Sequence, residues 1–203
     1  MVPNNRTHLT VLIMIMAVLT GGCASRPFLK VQYQLPSSST ELAGERIFLK
    51  ITDRRNEDAF LSASAKKSLK NFNNTYSLVV LRDDGSGNLI GAYDLNALWQ
   101  EIFKQRLENE GSTVATSAES ADASLEIQIQ AFRLDLVDRK WMLQMSYQAG
   151  LSKNQANLAK ESVNGSAERL KVMGKSDAEK ILGELVSDMV NKMNLTQLFQ
   201  RAQ

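Results

Sequence analysis

Cys23 is the only cysteine in this 203-residue chain and His8 the only histidine, so thiol and imidazole chemistry rest on one residue each. A zinc site of the usual Cys and His kinds therefore has too few ligands, and a His-based triad has no histidine beyond the first eight residues. Three other arrangements have residue types that could do chemistry. Asp53-Arg54-Arg55 closes an apolar run, and the planar guanidinium of either arginine could read a carboxylate or phosphate with paired donors. Ser64 and Lys67 match a Ser-x-x-Lys pair, in which an amine activates a hydroxyl, and Ser162-Val163-Asn164 matches the Ser-x-Asn that accompanies it. The third element, Lys-Thr-Gly, is missing, because Lys175-Ser176 is followed by Asp177. Gly174-Lys175-Ser176 looks like the end of a phosphate-binding loop, yet the glycine required five residues earlier is Arg169. The carboxylates show no spacing that pairs them for acid–base hydrolysis. Trp99 and Trp141 fall at apolar positions and read as core rather than as stacking platforms. The chain reads as a non-enzyme with no cofactor, no metal and no nucleotide, and with Asp53, Arg54 and Arg55 as its candidate binding residues.

What Cys23 does is set by what precedes it. The first eight residues are polar with one positive charge, Arg6, and an apolar run follows from Leu9 to Leu19. That run matches the core of a secretory signal peptide and falls short of the ~20 residues that span a bilayer. Small residues then lead to the cysteine: Thr20-Gly21-Gly22-Cys23. The arrangement resembles the lipobox of bacterial lipoproteins, with Leu19 standing one place earlier than the usual leucine. The resemblance implies that residues 1–22 are removed and that Cys23 becomes the acylated first residue, carrying palmitate-type chains. Lipidation also disposes of a lone thiol that could form no internal disulfide in an oxidising compartment. Ala24-Ser25-Arg26 follow, with no aspartate beside the cysteine. By resemblance to Gram-negative lipoproteins, this implies an outer-membrane address facing the periplasm, or a cell-membrane lipoprotein in another kind of cell.

Composition excludes other partners. Of 24 basic residues only Arg6 lies in the leader, so the remainder nearly balances 22 acidic ones and offers no field for nucleic acid. Hydrophobic content of 43% with 23% charge belongs to a folded chain and excludes wholesale disorder.

Periodicity places the elements. Leu29, Val31, Tyr33 and Leu35 alternate with polar residues as a half-buried strand does. We read residues 23–45 as a tether holding this one short strand, and 46–203 as a single domain. A second strand is expected over 46–52 and a third over 75–81, followed by a turn at Asp83–Asn88. Segment 57–72 fits a short helix or a surface loop. Asp94 is a good N-cap for a helix whose apolar face is Leu95, Leu98, Trp99, Ile102, Phe103 and Leu107, with Gly111 beyond its end. A meander follows. Leu125, Ile127 and Ile129 alternate, the phase slips to Phe132, Leu134 and Leu136 as a β-bulge would make it, and Trp141 to Leu151 alternates again. Residues 159–172 make a polar edge strand. A last long helix starts at Ser176, with Glu179 completing a capping box. The sum is an α+β fold: a single, mostly antiparallel sheet with two long helices packed on one face, after the lipidated tether.

The order of elements resembles the YajG-like family of bacterial lipoproteins. The resemblance rests on the lipobox, the strand ending in Asp53-x-Arg55, the helix from Leu95 to Gly111, Ala121-Asp122 before a strand, and the Phe-Gln-rich tail. It implies a fold and an envelope address, and no catalytic residues. Two functions follow. The first is a membrane-anchored, non-enzymatic lipoprotein serving as an interaction or structural module for envelope proteins. The second is an auxiliary lipoprotein of an ABC-type lipid or solute transport system. The sheet face opposite the helices separates them, because a lipid groove needs it apolar, whereas Gln144, Ser146 and Gln148 beside Met142 make it polar. Nothing in the sequence sets an oligomeric state.

Overall fold

The computed structural model describes residues 27–56, 60–153 and 156–201. Cys23 and the leader lie outside the described residues. Eight strands run in chain order: β1 (Phe28–Gln34), β2 (Arg46–Asp53), β3 (Thr75–Leu81), β4 (Gly87–Tyr93), β5 (Thr113–Val114), β6 (Ala123–Val137), β7 (Lys140–Lys153) and β8 (Ala156–Leu170). Four helices accompany them: α1 (Ala63–Ser68), α2 (Leu95–Asn109), α3 (Lys175–Lys192) and α4 (Leu195–Gln200).

The α+β class holds, but the strands divide into two sheets rather than one. Five form a sheet of order β5-β2-β6-β7-β8, mostly antiparallel, and three form a second of order β1-β3-β4. The separation follows from β1 pairing in parallel with β3, Leu29 beside Tyr76 and Tyr33 beside Val80. Alternation shows that a strand is half-buried; it does not name the neighbour. Strand β4 was hidden in the sequence because Gly87, Gly91 and Ala92 give it almost no apolar alternation.

Both long helices lie on the inner face of the five-stranded sheet. From α2, Trp99 meets Phe132 edge-on with centroids 5.1 Å apart, and Phe103 meets Tyr147 at 5.4 Å. From α3, the Met189 carbonyl accepts the Tyr147 hydroxyl at 2.9 Å. Asp94 does cap α2, accepting the Ala97 N–H at 2.9 Å, and Gly111 takes the left-handed φ of 87° just past its end. The bulge falls where the apolar phase slips, between Ile129 and Ala131.

Helix α3 departs from the expected capping box. It begins at Lys175 with Gly174 at the cap position. Asp177 takes up the N–H groups of Val172 (2.8 Å) and Met173, and Glu179 turns away to a strand. That strand is β1, whose outer edge would otherwise expose unpaired backbone. Glu179 accepts the Lys30 N–H at 2.9 Å and Ser187 the Gln34 N–H at 2.9 Å, while Asn191 donates to the Gln34 carbonyl at 2.8 Å. Gly183 lets the helix approach until a Cβ there would lie 2.7 Å from the Gln32 carbonyl oxygen. Residues 179, 183, 187 and 191 form one i, i+4 row, so a single ridge of the helix seals the sheet edge.

Candidate functional site

The candidate binding residues Asp53, Arg54 and Arg55 stand at the end of β2. Arg55 gives its fork to Asp53, Nε to Oδ1 at 2.9 Å and Nη2 to Oδ2 at 2.7 Å, and its N–H to Oδ1 at 3.1 Å. The hydrogen bond from the Arg55 side chain holds the Asp53 carboxyl below the usual carboxylate range. The Arg55 side chain is buried, Asp53 stays partly exposed, and Arg54 projects into solvent. This closed fork pins the strand end, and the donors named in it are occupied.

The serine–lysine and Gly-Lys-Ser patterns resolve into other contacts. Ser64 donates to Asp135 Oδ1 at 2.8 Å, beside Ser62, which donates to the same oxygen and caps α1. Those hydroxyls, Ser62 first, hold the Asp135 carboxyl below its ordinary value. Ser162 and Asn164 lie on β8 opposite Gln148 and Ser146, in register with β7 rather than with α1. Lys175 pairs with Glu179 at 3.6 Å, and its ammonium sits 5.3 Å from the centre of the Phe28 ring. Trp99 and Trp141 are both fully buried, and the Trp141 N–H reaches the Gly174 carbonyl at 3.1 Å. Among the described residues no group of three or more His, Cys, Asp or Glu could hold a metal, and no helix is long and apolar enough to cross a membrane.

Two surfaces remain. The first is the sheet face away from the helices. Glu126 there accepts from Thr52 at 2.8 Å and pairs with Lys50 at 3.3 Å, and Gln128 donates to it at 3.1 Å. Next to them stand Gln148, Ser146 and Gln144, then Ser162, Asn164 and Ser166 on the edge strand. This face is broad and polar, with Lys50, Glu126, Arg133, Asp135, Lys160 and Glu168 among its uncharged residues, Phe48 half-buried on β2 and Met142 near the start of β7. It has neither the depth nor the apolar lining of a lipid groove.

The second surface is the end of the molecule where β1 begins. A hollow of ≈ 290 Å³ is lined there by Phe28, Leu69 and Phe72 together with Lys67, Lys70 and Lys175. The large apolar side chains that the fold leaves exposed gather around it and beyond it: Leu89, Val137, Met142, Leu170, Val172 and Met173. Leu89 borders Phe28 and Lys175 in a neighbouring hollow. Val137 pairs with Lys140, and Lys140 with Leu170, across three adjacent strands. This clustering is invisible to periodicity, because its six residues come from four different strands and the loop after β8. The run Leu170-Lys171-Val172-Met173 is the signal that could have pointed to it.

No family model and no curated protein matches the chain. Solved structures do. Protein XCC0632 from Xanthomonas campestris, of family DUF330, aligns over 88% of this chain and 100% of its own, with a TM-score of 0.54 and 13% identity. Protein CT253 from Chlamydia trachomatis aligns over 73% and 93% with a TM-score of 0.43 and 10% identity. Lipoprotein GNA1162 from Neisseria meningitidis aligns over 73% and 96% with a TM-score of 0.31 and 20% identity. What this chain shares with XCC0632 is its fold.

Proposed function

We propose that this chain is a cell-envelope lipoprotein, acylated at Cys23 after removal of residues 1–22, that works without catalysis as an interaction module for envelope proteins. The observation that carries the reading is the position of the only cysteine: it follows an apolar leader and small residues, and it stands five positions before the first strand of the fold. Two or more acyl chains make a stable anchor where a single one would not. Ala24-Ser25-Arg26 after the cysteine favour the outer membrane, periplasm-facing, and the YajG-like resemblance belongs to the same reading. The broad polar sheet face supports a partner-binding role over the transport-auxiliary alternative, which calls for an apolar groove.

Intact mass and membrane fractionation test the anchor. The wild type is expected in the membrane fraction with an acyl mass on Cys23, and Cys23→Ala, exported behind a conventional cleavable leader, in the soluble fraction. Equal membrane retention of both forms would refute it. Crosslinking from native membranes then tests the role. Envelope proteins captured without transporter subunits or extractable lipid support the interaction module, and recovery of transporter subunits favours the alternative.

A further inference from the structure

We propose that the end of the domain around Met173 is a membrane-docking surface, in which Val172 and Met173 enter the headgroup region of a phospholipid leaflet while Lys67, Lys70, Arg139 and Lys171 lie on its anionic headgroups. The inference rests on reading Cys23 as the anchor. Three observations converge on it.

The first is exposure. Val172 is 81% exposed, Met173 74% and Leu170 61%, at consecutive or nearly consecutive positions. Side chains of this size are rarely left together in water without a counterpart. Their backbone is not loose: the Val172 and Met173 N–H groups bind Asp177, and the Lys171 N–H binds the Arg139 carbonyl at 2.8 Å. The loop is held so that its apolar side chains point away from the protein.

The second is the tether. Five residue steps separate Cys23 from Phe28, and a fully extended chain covers at most about 18 Å over that interval. Phe28 is in contact with Lys175, two residues from Met173. Whatever holds Cys23 is therefore within one short span of this end of the domain. The far ends of β6 and β7 lie on the order of 45 Å away along strands of 14 and 15 residues. The tether therefore brings this end of the domain, rather than those far strand ends, to the leaflet.

The third is charge. Lys67, Lys70, Arg139 and Lys171 have no carboxylate within ion-pair distance among the described residues, while Lys140 and Arg169 are matched by Glu168 and Glu184. The carboxylates around the patch are Asp138 in the hairpin turn, Asp135, which accepts from Ser62 and Ser64, Glu168, which pairs with Lys140, Asp177, which is buried and receives backbone N–H groups, and Glu179, which is shared between Lys30 and Lys175. Arg139 occupies the turn at φ 64°, where a glycine would sit without strain. An apolar loop ringed by cations is the pairing that interfacial membrane segments use.

The acylated full-length protein, reconstituted in vesicles of phosphatidylethanolamine and phosphatidylglycerol, tests this directly. Acylation blocks Cys23, so Met173→Cys can be labelled alone with an environment-sensitive fluorophore, and Ser146→Cys on the polar face gives the comparison. The label at position 173 is expected to shift to shorter wavelength and to be quenched by doxyl lipids, and the label at 146 to stay wet. Equal wetness at both positions, with the acyl mass on Cys23 verified, overturns the docking and leaves the anchor intact. Protection at 173 in native membranes but not in pure lipid also overturns it, in favour of a protein partner.

Charge is tested on an unacylated Cys23→Ala chain freed of residues 1–22, by sedimentation with the same vesicles. Binding should need phosphatidylglycerol and fall about fivefold for each lysine removed, hence about a hundredfold for Lys67→Gln/Lys70→Gln/Lys171→Gln. Undiminished binding of that variant, or indifference to phosphatidylglycerol, overturns the proposal. A wild-type protein with no acyl mass on Cys23 refutes the anchor reading on its own, whatever the vesicles show.

Discussion

Replacing Gly183 with alanine should destabilise this protein, although alanine is the better helix former. In an exposed helix the exchange would add about 1 kcal/mol of stability. Here the new Cβ would meet the Gln32 carbonyl oxygen at 2.7 Å, the Gln32 nitrogen at 3.2 Å and the Gln32 Cβ at 3.4 Å, and two of these atoms are backbone. Bringing the shortest contact to an ordinary distance moves α3 back by about 0.7 Å. The bonds that seal the edge of β1, now 2.8 to 2.9 Å, would then approach 3.5 Å, the limit of a useful hydrogen bond. Three such bonds at about 1 kcal/mol each, set against about 1 kcal/mol of helix propensity, leave a net loss of about 2 kcal/mol. For a domain of this size that lowers Tm by about 4–8 °C. Thermal and urea unfolding followed by circular dichroism read the change. Ser187→Ala should cost about 1 kcal/mol in the wild type and much less in the Gly183→Ala background, because the bond it removes is already stretched. A Gly183→Ala protein that melts at or above the wild type would refute the close approach of α3 to β1.

Two further outcomes follow from buried and paired charges. Arg106 on α2 and Glu110 at its C-cap are buried side by side one turn apart, and Ser39 donates to Glu110 as well. Arg106→Ala should cost about 3–5 kcal/mol by stranding a buried carboxylate, whereas Arg106→Met/Glu110→Leu should cost far less, and urea midpoints compare them. Acid should weaken the fold through Asp53, Asp122, Glu126 and Asp135. Hydrogen bonds from Arg55, Arg46, Thr52 and Ser62, respectively, hold these carboxyls below their ordinary values, Asp122 at about 2. A carboxyl whose pKa is lowered on folding contributes stability that is complete above the ordinary carboxylate range and is lost as pH falls through the folded value. Urea midpoints should therefore be level from pH 7 to about 5 and fall steadily between about 4 and 2. A flat profile to pH 2 would show that these pairs do not persist in solution.

Elements fixed by local rules were legible in the sequence. The Asp94 cap, the α2 face with Trp99 and Phe103, the bulge near Ala131 and the polar edge strand β8 each follow from periodicity or capping within a dozen residues. What escaped depends on contacts between distant segments. Glu179 read as a capping residue because Ser176 precedes it by three, yet its partner is Lys30, 149 positions away. The second sheet escaped because β1 finds β3 in parallel across the whole of β2 and α1. The row 179, 183, 187 and 191 mixes an acid, a glycine, a serine and an amide, which no apolar pattern would flag. Its logic is backbone satisfaction, and that appears only once the strand is beside it. For the candidate residues the same limit applies. Asp-x-Arg spacing was visible, but a fork that closes on its own neighbour and one that waits for a ligand share a single sequence.

The two surfaces outside the core are arranged so that both can be used at once. The apolar and basic residues cluster where β1 starts and where β6 turns into β7. The polar face lies along β6, β7 and β8, whose 14 or 15 residues carry it away from that end. With Met173 on a leaflet, the long strands stand out from the membrane and present Gln148, Ser162 and Asn164 to the side. A protein tied on a longer linker would tumble, and would spend orientational entropy each time a partner met this face. On the proposed anchor at Cys23, an interval of five residues backed by the proposed docking loop would remove part of that cost in advance. Lengthening the tether by a flexible insertion after Arg26 should therefore weaken partner capture in crosslinking while leaving anchoring and folding unchanged. Undiminished capture would mean that the partner reads the polar face without needing its orientation.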